Sequence, residues 1–471
     1  MPLIIGAKPT AAGAYTVDNS CRFNFGDSPK LSRAVSTGTA NTKFTFSCWF
    51  KTSTVNSSYG RILWGGVDSG NETGITLYAL SHATKKGIVD IYLYGSSSIR
   101  DWQTTALHRD PSAWYHLVVR VDTTDATAGD RIQAWINGTR VTSWGASSNP
   151  DENETFDFFH SNNITIGREQ DSGDRFSYDG YLAEVCAIDG TAYTASDFGE
   201  FDEDSPTIWV PKDISGLTFG TSGFYLNFED SADLGADASG NSNDFTATNI
   251  DATDQATDTP ANNFATGNPL SNPRVVSSTV YLPTYSNGNN TINHANASYY
   301  TGDRNSIGVM SGKWYVEAEC SAVGDELFIG LTSEENHSEI DTTYLYEDDG
   351  TFGGSAYGSA YVSGDIIQIA FDATNGTVWF GLNGTWQNSA TAEEIQNGTT
   401  TNAAASGLTM TKFWHIASKG YNGATWNFNF GGCPAFTVSS GNADGDGYGN
   451  FEYAPPSGYY ALCTKNLAEY G

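Results

Sequence analysis

Along much of the chain, apolar and polar residues alternate with a period of two, the pattern of strands that bury one face. Phe44, Phe46, Cys48 and Phe50 share one strand face, and Tyr115, Leu117, Val119 and Val121 share another. Ile132, Ala134 and Ile136 lead into Asn137-Gly138, a pair that favours a tight hairpin turn because both residues tolerate positive φ. Further on, Trp314, Val316, Ala318 and Cys320 alternate with Tyr315, Glu317 and Glu319. Ile367, Ile369 and Phe371 form the next face. Val378, Phe380 and Leu382 run into Asn383-Gly384, and Trp426, Phe428 and Phe430 alternate with asparagines. No segment carries a sustained helical period, so the pattern predicts an all-β protein.

The alternation lapses between residues 231 and 275. This stretch is rich in Asp, Asn, Ala, Thr and Ser, includes Asp251-Ala-Thr-Asp254-Gln-Ala-Thr-Asp258, and carries Pro260, Pro269 and Pro273. It has little apolar surface to bury and reads as an acidic, polar linker. The predicted organisation is therefore a segment 1–10, a domain over 11–230, a linker over 231–275 and a domain over 276–471. Asn-Gly-Thr recurs at 137–139 and 383–385, as two related sandwiches would allow. Met1 to Gly6 lacks the charge and apolar length of a signal peptide. Leu3, Ile4 and Ile5 could add a strand to a neighbouring subunit or form the first edge strand of their own domain.

A chain of 471 residues is too long for one core. Aromatic residues at 13% are too many for disorder, and 51 glycines suit short strands with many turns. With 23 Lys and Arg against 54 Asp and Glu, the net charge is −31. Such a chain repels nucleic-acid phosphates and shows no basic stripe, which excludes nucleic acid as a partner. The same carboxylates favour divalent cations. No apolar stretch is long enough to span a membrane. The six cysteines, Cys21, Cys48, Cys186, Cys320, Cys433 and Cys463, form no CxxC pair, so free thiols and folding in a cytoplasm are expected rather than zinc. Asn-x-Thr triplets such as Asn71-Glu-Thr and Asn153-Glu-Thr are expected by chance in this composition.

The first half resembles the laminin-G-like, or concanavalin A-like, jelly roll through FTFSCWFKTS (44–53), WYHLVVRVD (114–122), RIQAWINGTRV (131–141), NITIGRE (163–169) and YDGYLAEVCAIDG (178–190). Residues 225–245 look like phage members of that family. The second half resembles a SPRY domain through GKWYVEAEC (312–320), LFIGLTS (327–333), residues 364–386 and ATWNFNFGGCPAF (424–436). PPSGYYALCTKNL (455–467) resembles the tail of phage proteins that carry such a domain. These resemblances imply two tandem antiparallel jelly-roll β-sandwiches in a structural protein of a tailed phage, assembled in the host cytoplasm and resident in the virion. The expected role is host recognition: a tail-fibre or spike subunit that binds surface glycans. The alternative is a purely structural capsid-decoration, head-fibre or tail component. Other virion proteins and a homo-oligomer, with a trimer favoured, are the implied partners.

Concanavalin A-like folds include glycosidases, whose laminarinase-like members carry Glu-x-Asp-x-x-Glu or Glu-x-Asp-x-Glu on one strand. Glu339-Ile340-Asp341 begins such a motif, but Thr343 or Tyr344 stands where the second Glu belongs, so no enzyme is expected. The histidines form no triad. His108 and His116 flank a strand, with His116 pointing outward, and no Gly-x-Ser-x-Gly elbow occurs. Calcium is the one cofactor the carboxylates could take. Asn442-Ala-Asp444-Gly-Asp446-Gly447 matches the start of an EF-hand-type loop, although its twelfth position is Tyr453; a polar turn is the plain alternative. Asp171 and Asp174 make a second candidate on a rim loop. Sugars bind aromatic faces flanked by hydrogen-bonding groups. Trp102, beside Arg100, Asp101 and Gln103, and Trp144 suit that role, as do Tyr344, Tyr346 and Trp386; for each, a packing role is the alternative. Trp49, Trp114, Trp314 and Trp426 read as packing residues.

Overall fold

The alternating segments pair into antiparallel sheets in the computed structural model of the protein. It describes residues 15–471 except 36–40, 54–58, 67–71, 79–83, 95–98, 157, 160–162, 170–175, 272–273, 277–278 and 334–339. The segment 1–10, Asp171, Asp174 and Glu339 therefore lie outside the described residues. The chain divides between Ala261 and Asn262 into two compact units.

In the first unit, Lys43–Thr52 pairs with Tyr115–Asp122 on one side and Gly180–Asp189 on the other. Ile132–Ile136 and Thr139–Arg140 extend this sheet across a turn in which Asn137 and Gly138 both have positive φ, as the sequence predicts. The facing sheet runs from Trp144–Ala146 through Ile99–Thr104, Val89–Tyr94, Glu72–Tyr78, Tyr59–Gly66 and Asn163–Ile166 to Lys30–Ala34. Phe44, Phe46, Cys48 and Phe50 of one sheet meet Ile75, Leu77, Val89, Ile91 and Leu93 of the other in one buried core. The first sheet also buries its second face. Val118, Cys186 and Ile188 pack there against Ala195, Phe198, Ile214 and Phe219.

Residues 231–261 are not a linker. Thr246–Thr248 pairs with Lys30–Ala34, and Gln255–Ala256 pairs with Ser20–Phe23. The polar composition conceals how this segment is held. Leu234 and Phe245 enter the core, while Asp237 accepts backbone N–H bonds from Tyr225, Ser239 and Asn243 at 2.9, 2.9 and 2.8 Å. Asp258 is buried against Lys51, Nζ to Oδ2 2.6 Å.

The second unit is a further pair of sheets. One contains Lys313–Ala322 between Ile366–Asp372 and Ala424–Asn429. The other contains Glu326–Ser333 between Trp414–Tyr421 and Leu345–Glu347. Trp314, Val316, Ala318, Ile367, Ile369 and Trp426 meet Leu327, Ile329, Leu331 and Trp414 in its core. Asn383 and Gly384 again take positive φ at a hairpin. Among the described residues the chain makes two short α-helices, Ala392–Asn397 and Thr464–Tyr470, each too brief to leave a periodic pattern. The first is set by a capping box between Thr391 and Glu394 and stopped by left-handed Gly398. All six cysteines are buried, and none is in a disulfide. Among the described residues, no helix is long and apolar enough to cross a membrane.

Candidate ligand-binding site

At one end of the second unit, Ser333 and Trp414 are paired across adjacent strands. The turn Thr342–Tyr344 lies beside them, and Asp341 caps it by accepting from Thr343 N at 3.0 Å and Thr343 Oγ1 at 2.8 Å. Those bonds hold the Asp341 carboxyl below its usual range, so it stays charged. The Tyr344 ring meets Trp414 edge-on, centroids 5.1 Å apart. The Trp414 indole is fixed by donating to Thr409 O at 3.1 Å, and Lys412 Nζ lies 5.5 Å from its ring centroid. With Thr409, these groups line a cleft of about 200 Å³. Trp414 is itself almost fully buried, so what the cleft offers is the half-buried Tyr344 ring, the hydroxyls of Ser333, Thr409 and Tyr344, one carboxylate and one ammonium, a set suited to a single ring with an apolar face and polar rim.

Of the five aromatic candidates, Tyr344 alone lines this cleft. Trp102 is corrected: it lies within the Ile99–Thr104 strand, 4% exposed, with its indole N–H donated to Ser148 O at 2.9 Å. Trp144 packs edge-on against it at 4.8 Å. Tyr346 is corrected likewise. It is fully buried among Tyr357, Tyr361 and Phe380, and its hydroxyl donates to Ser359 O. Trp386 is half-buried and packs on the outer face of the Lys313–Ala322 sheet. Asp341 is a turn cap rather than part of a carboxylate motif. Trp414 and Lys412 carried no sequence signal, because a strand-end Trp is indistinguishable from a core one.

Asp444 serves as a turn organiser. Its Oδ1 accepts from Asp446 N and Tyr448 N, both at 2.9 Å, and its Oδ2 accepts from Ala461 N at 2.9 Å and Asn466 Nδ2 at 2.8 Å. These protein donors take up the oxygens a cation would need. Asn442 donates from Nδ2 to Glu452 O at 2.9 Å. Among the described residues, no group of three or more His, Cys, Asp or Glu is placed to hold a metal ion.

His116 is not outward-facing in solvent. It is 1% exposed, stacked on Trp49 at 4.5 Å and on Trp209 at 6.1 Å. Trp209 Nε1 approaches its Nδ1 at 2.9 Å, and Ser47 Oγ lies 2.9 Å from its Nε2. An indole N–H can only donate, so Nδ1 accepts and the neutral ring carries its proton on Nε2. Burial lowers the imidazole pKa to about 3. The ring therefore donates to Ser47, the reverse of what a general base does.

Asp90 and Asp101 lie on adjacent strands of the first unit.

Residues 26–197 match the Concanavalin A-like lectin/glucanases superfamily. That match supports a laminin G-like, concanavalin A-like lectin fold for this stretch of the chain. Among solved structures, the chain is similar to the native heptameric SAP-like pentraxin from Limulus polyphemus, with 18% identity over 38% of this chain and 80% of that one, TM-score 0.27. It is also similar to domains LG4-5 of the mouse laminin alpha1 chain, with 8% identity over 91% of this chain and 93% of that one, TM-score 0.31. A third similarity is to the SPRY domain of human HERC1, with 15% identity over 31% of this chain and 91% of that one, TM-score 0.25. No curated protein matches the chain.

Proposed function

We propose that the chain is a non-enzymatic adhesion subunit of a tailed-phage particle, with a lectin-like first unit and a SPRY-like second unit that holds a surface glycan. The observation that carries the glycan reading is the cleft beside the Tyr344 ring, flanked by Asp341 and Lys412. The phage setting is supported by the resemblance of residues 225–245 and 455–467 to phage proteins. The non-enzymatic reading is supported by the tautomer of His116, which leaves no general base there. One monosaccharide-sized cleft binds weakly, and symmetric copies, a trimer above all, would multiply that into useful avidity.

The test is binding of the full chain to host cells and to a glycan array. Tyr344→Ala is expected to weaken glycan binding about tenfold, the equivalent of ~1.4 kcal/mol, with little change in melting temperature because Tyr344 is only half-buried. Wild-type protein that binds neither cells nor glycans would overturn the adhesion reading and leave a structural particle component.

A further inference from the structure

Residues 15–19 lead into the Ser20–Phe23 strand without pairing in a sheet themselves. The Tyr15 hydroxyl reaches across to Glu184 and donates to its Oε2 at 2.9 Å. Tyr225 donates to the same oxygen at 2.7 Å, and the two phenol oxygens lie 3.2 Å apart. Glu184 sits at the bulge that interrupts the pairing of Gly180–Asp189 with Lys43–Thr52 between Ala183 and Cys186, and its φ of 51° is left-handed. A bulge re-aims a side chain, and this one holds a carboxyl that is only 6% exposed. Among the described residues, Glu184 makes no ion pair. Besides the two phenols, the groups that face it are the carboxylates of Glu229 and Asp213 and, on its own strand, the Cys186 thiol. Lys212, next to Asp213, turns instead to Ser196 O at 3.4 Å and Glu200 at 4.0 Å. Asp18, the other ionisable group of residues 15–19, is exposed.

A buried carboxylate without a counter-ion resists ionisation, and neighbouring carboxylates add to that resistance. The two phenol donors favour the charge but offset only part of the burial, which pushes the Glu184 carboxyl up to about 7. Protonated, it still accepts both phenols at Oε2. Ionised, it is a buried charge that water would relieve. Tyr225 is poorly placed to let water in: Phe224–Leu226 pairs with Gly180–Asp189, and the Tyr225 ring stacks on Phe219 at 5.9 Å. Tyr15 is held by its hydroxyl and by the burial of Val17 alongside, so its segment yields first. We propose that residues 15–19 form a pH-sensitive strap, closed over Glu184 in mild acid and released once Glu184 is ionised. Release lengthens the tether of the N-terminal segment by roughly 17 Å, five residues at full extension.

The folded-state pKa of Glu184 is raised, so the stability that its proton supplies is fully present below the ordinary carboxylate value and is lost as pH rises through about 7. Opening hydrates the carboxyl and returns it toward that ordinary value, so acid closes the strap and alkali opens it. Chymotrypsin cuts after aromatic residues and can take Tyr15 only from an open strap. Brief digestion of the full chain, read by intact mass, gives the rate of cleavage after residue 15. Each rate is divided by that of Tyr15→Phe in the same buffer, which removes the protease's own pH dependence. That variant keeps an aromatic ring to cut but lacks the hydroxyl that closes the strap. For wild type the ratio should rise about tenfold between about pH 6 and about pH 8.5. In Glu184→Gln, whose side chain stays neutral and still accepts a phenol, it should stay low and flat. A wild-type ratio that does not rise would overturn the proposal, as would an equal rise in Glu184→Gln, or Tyr15→Phe cut no faster than wild type at about pH 6. The first and last of these outcomes decide even where Glu184→Gln fails to fold.

Discussion

Replacing Asp258 by alanine is expected to destabilise the first unit by about 3–5 kcal/mol, the cost of stranding a buried charge. Lys51 projects from the outer face of the Lys43–Thr52 strand, and its side chain is 1% exposed. Its ammonium meets Asp258 Oδ2 at 2.6 Å, while Asp258 Oδ1 accepts from the Trp114 indole at 3.0 Å. Ser20 Oγ donates to the Asp258 carbonyl at 2.7 Å. Removing the carboxylate takes away the counter-charge that lies 2.6 Å from the ammonium and unpairs an indole N–H. Lys51→Met combined with Asp258→Leu should recover most of the loss, because an apolar pair needs no counter-ion. Calorimetry of the full chain reads both variants, with only one unit's transition moving. A loss below about 1 kcal/mol for Asp258→Ala would mean that Lys51 reaches water on its own.

Glu317→Ala should cost the second unit about 3 kcal/mol or more, because it leaves several polar groups without partners. The fully buried Glu317 carboxylate accepts from the Tyr315 hydroxyl at 2.8 Å, Glu452 N at 2.8 Å, Tyr453 N at 2.7 Å and Asn429 Nδ2 at 3.3 Å. Two of these donors are backbone amides of the C-terminal segment, so that segment should loosen before the sheets do. Hydrogen exchange at Glu452 and Tyr453 should speed up well beyond the change at Lys313–Ala322. Glu317→Gln should fall between the two, since its amide keeps one acceptor but turns a donor toward donors. Equal protection in all three proteins would show that the carboxylate does not hold the segment.

The strands could be read in the sequence because their alternation is strong. Phe44 to Phe50, Leu117 to Val121 and Trp314 to Cys320 each bury the face that the period of two assigns. Residues 231–261 could not be read that way. They are held by isolated anchors, Leu234, Phe245 and Asp258, and by carboxylates that bind backbone N–H groups, none of which leaves a period. The site was harder still. Trp102 and Tyr346 sit among polar neighbours in the sequence yet point into cores, and only the pairing register separates a rim aromatic from a buried one. Asp444 matched the spacing of a calcium loop because a tight turn and a cation both demand oxygens at alternate positions.

The two short strands near residue 250 have a further consequence. Thr246–Thr248 and Gln255–Ala256 are the last strands of the two first-unit sheets, beyond Lys30–Ala34 and Ser20–Phe23. They are brief and polar, which makes them poor templates for another chain. A fragment cut where the family match stops, at residue 197, would bare the backbone donors and acceptors of both inner strands along one side of the sandwich. Such a fragment should self-associate as its concentration rises, whereas one ending at Ala261 should stay monodisperse. The stretch that matches the family and the shortest piece of this half expected to stay monodisperse are therefore different lengths of chain.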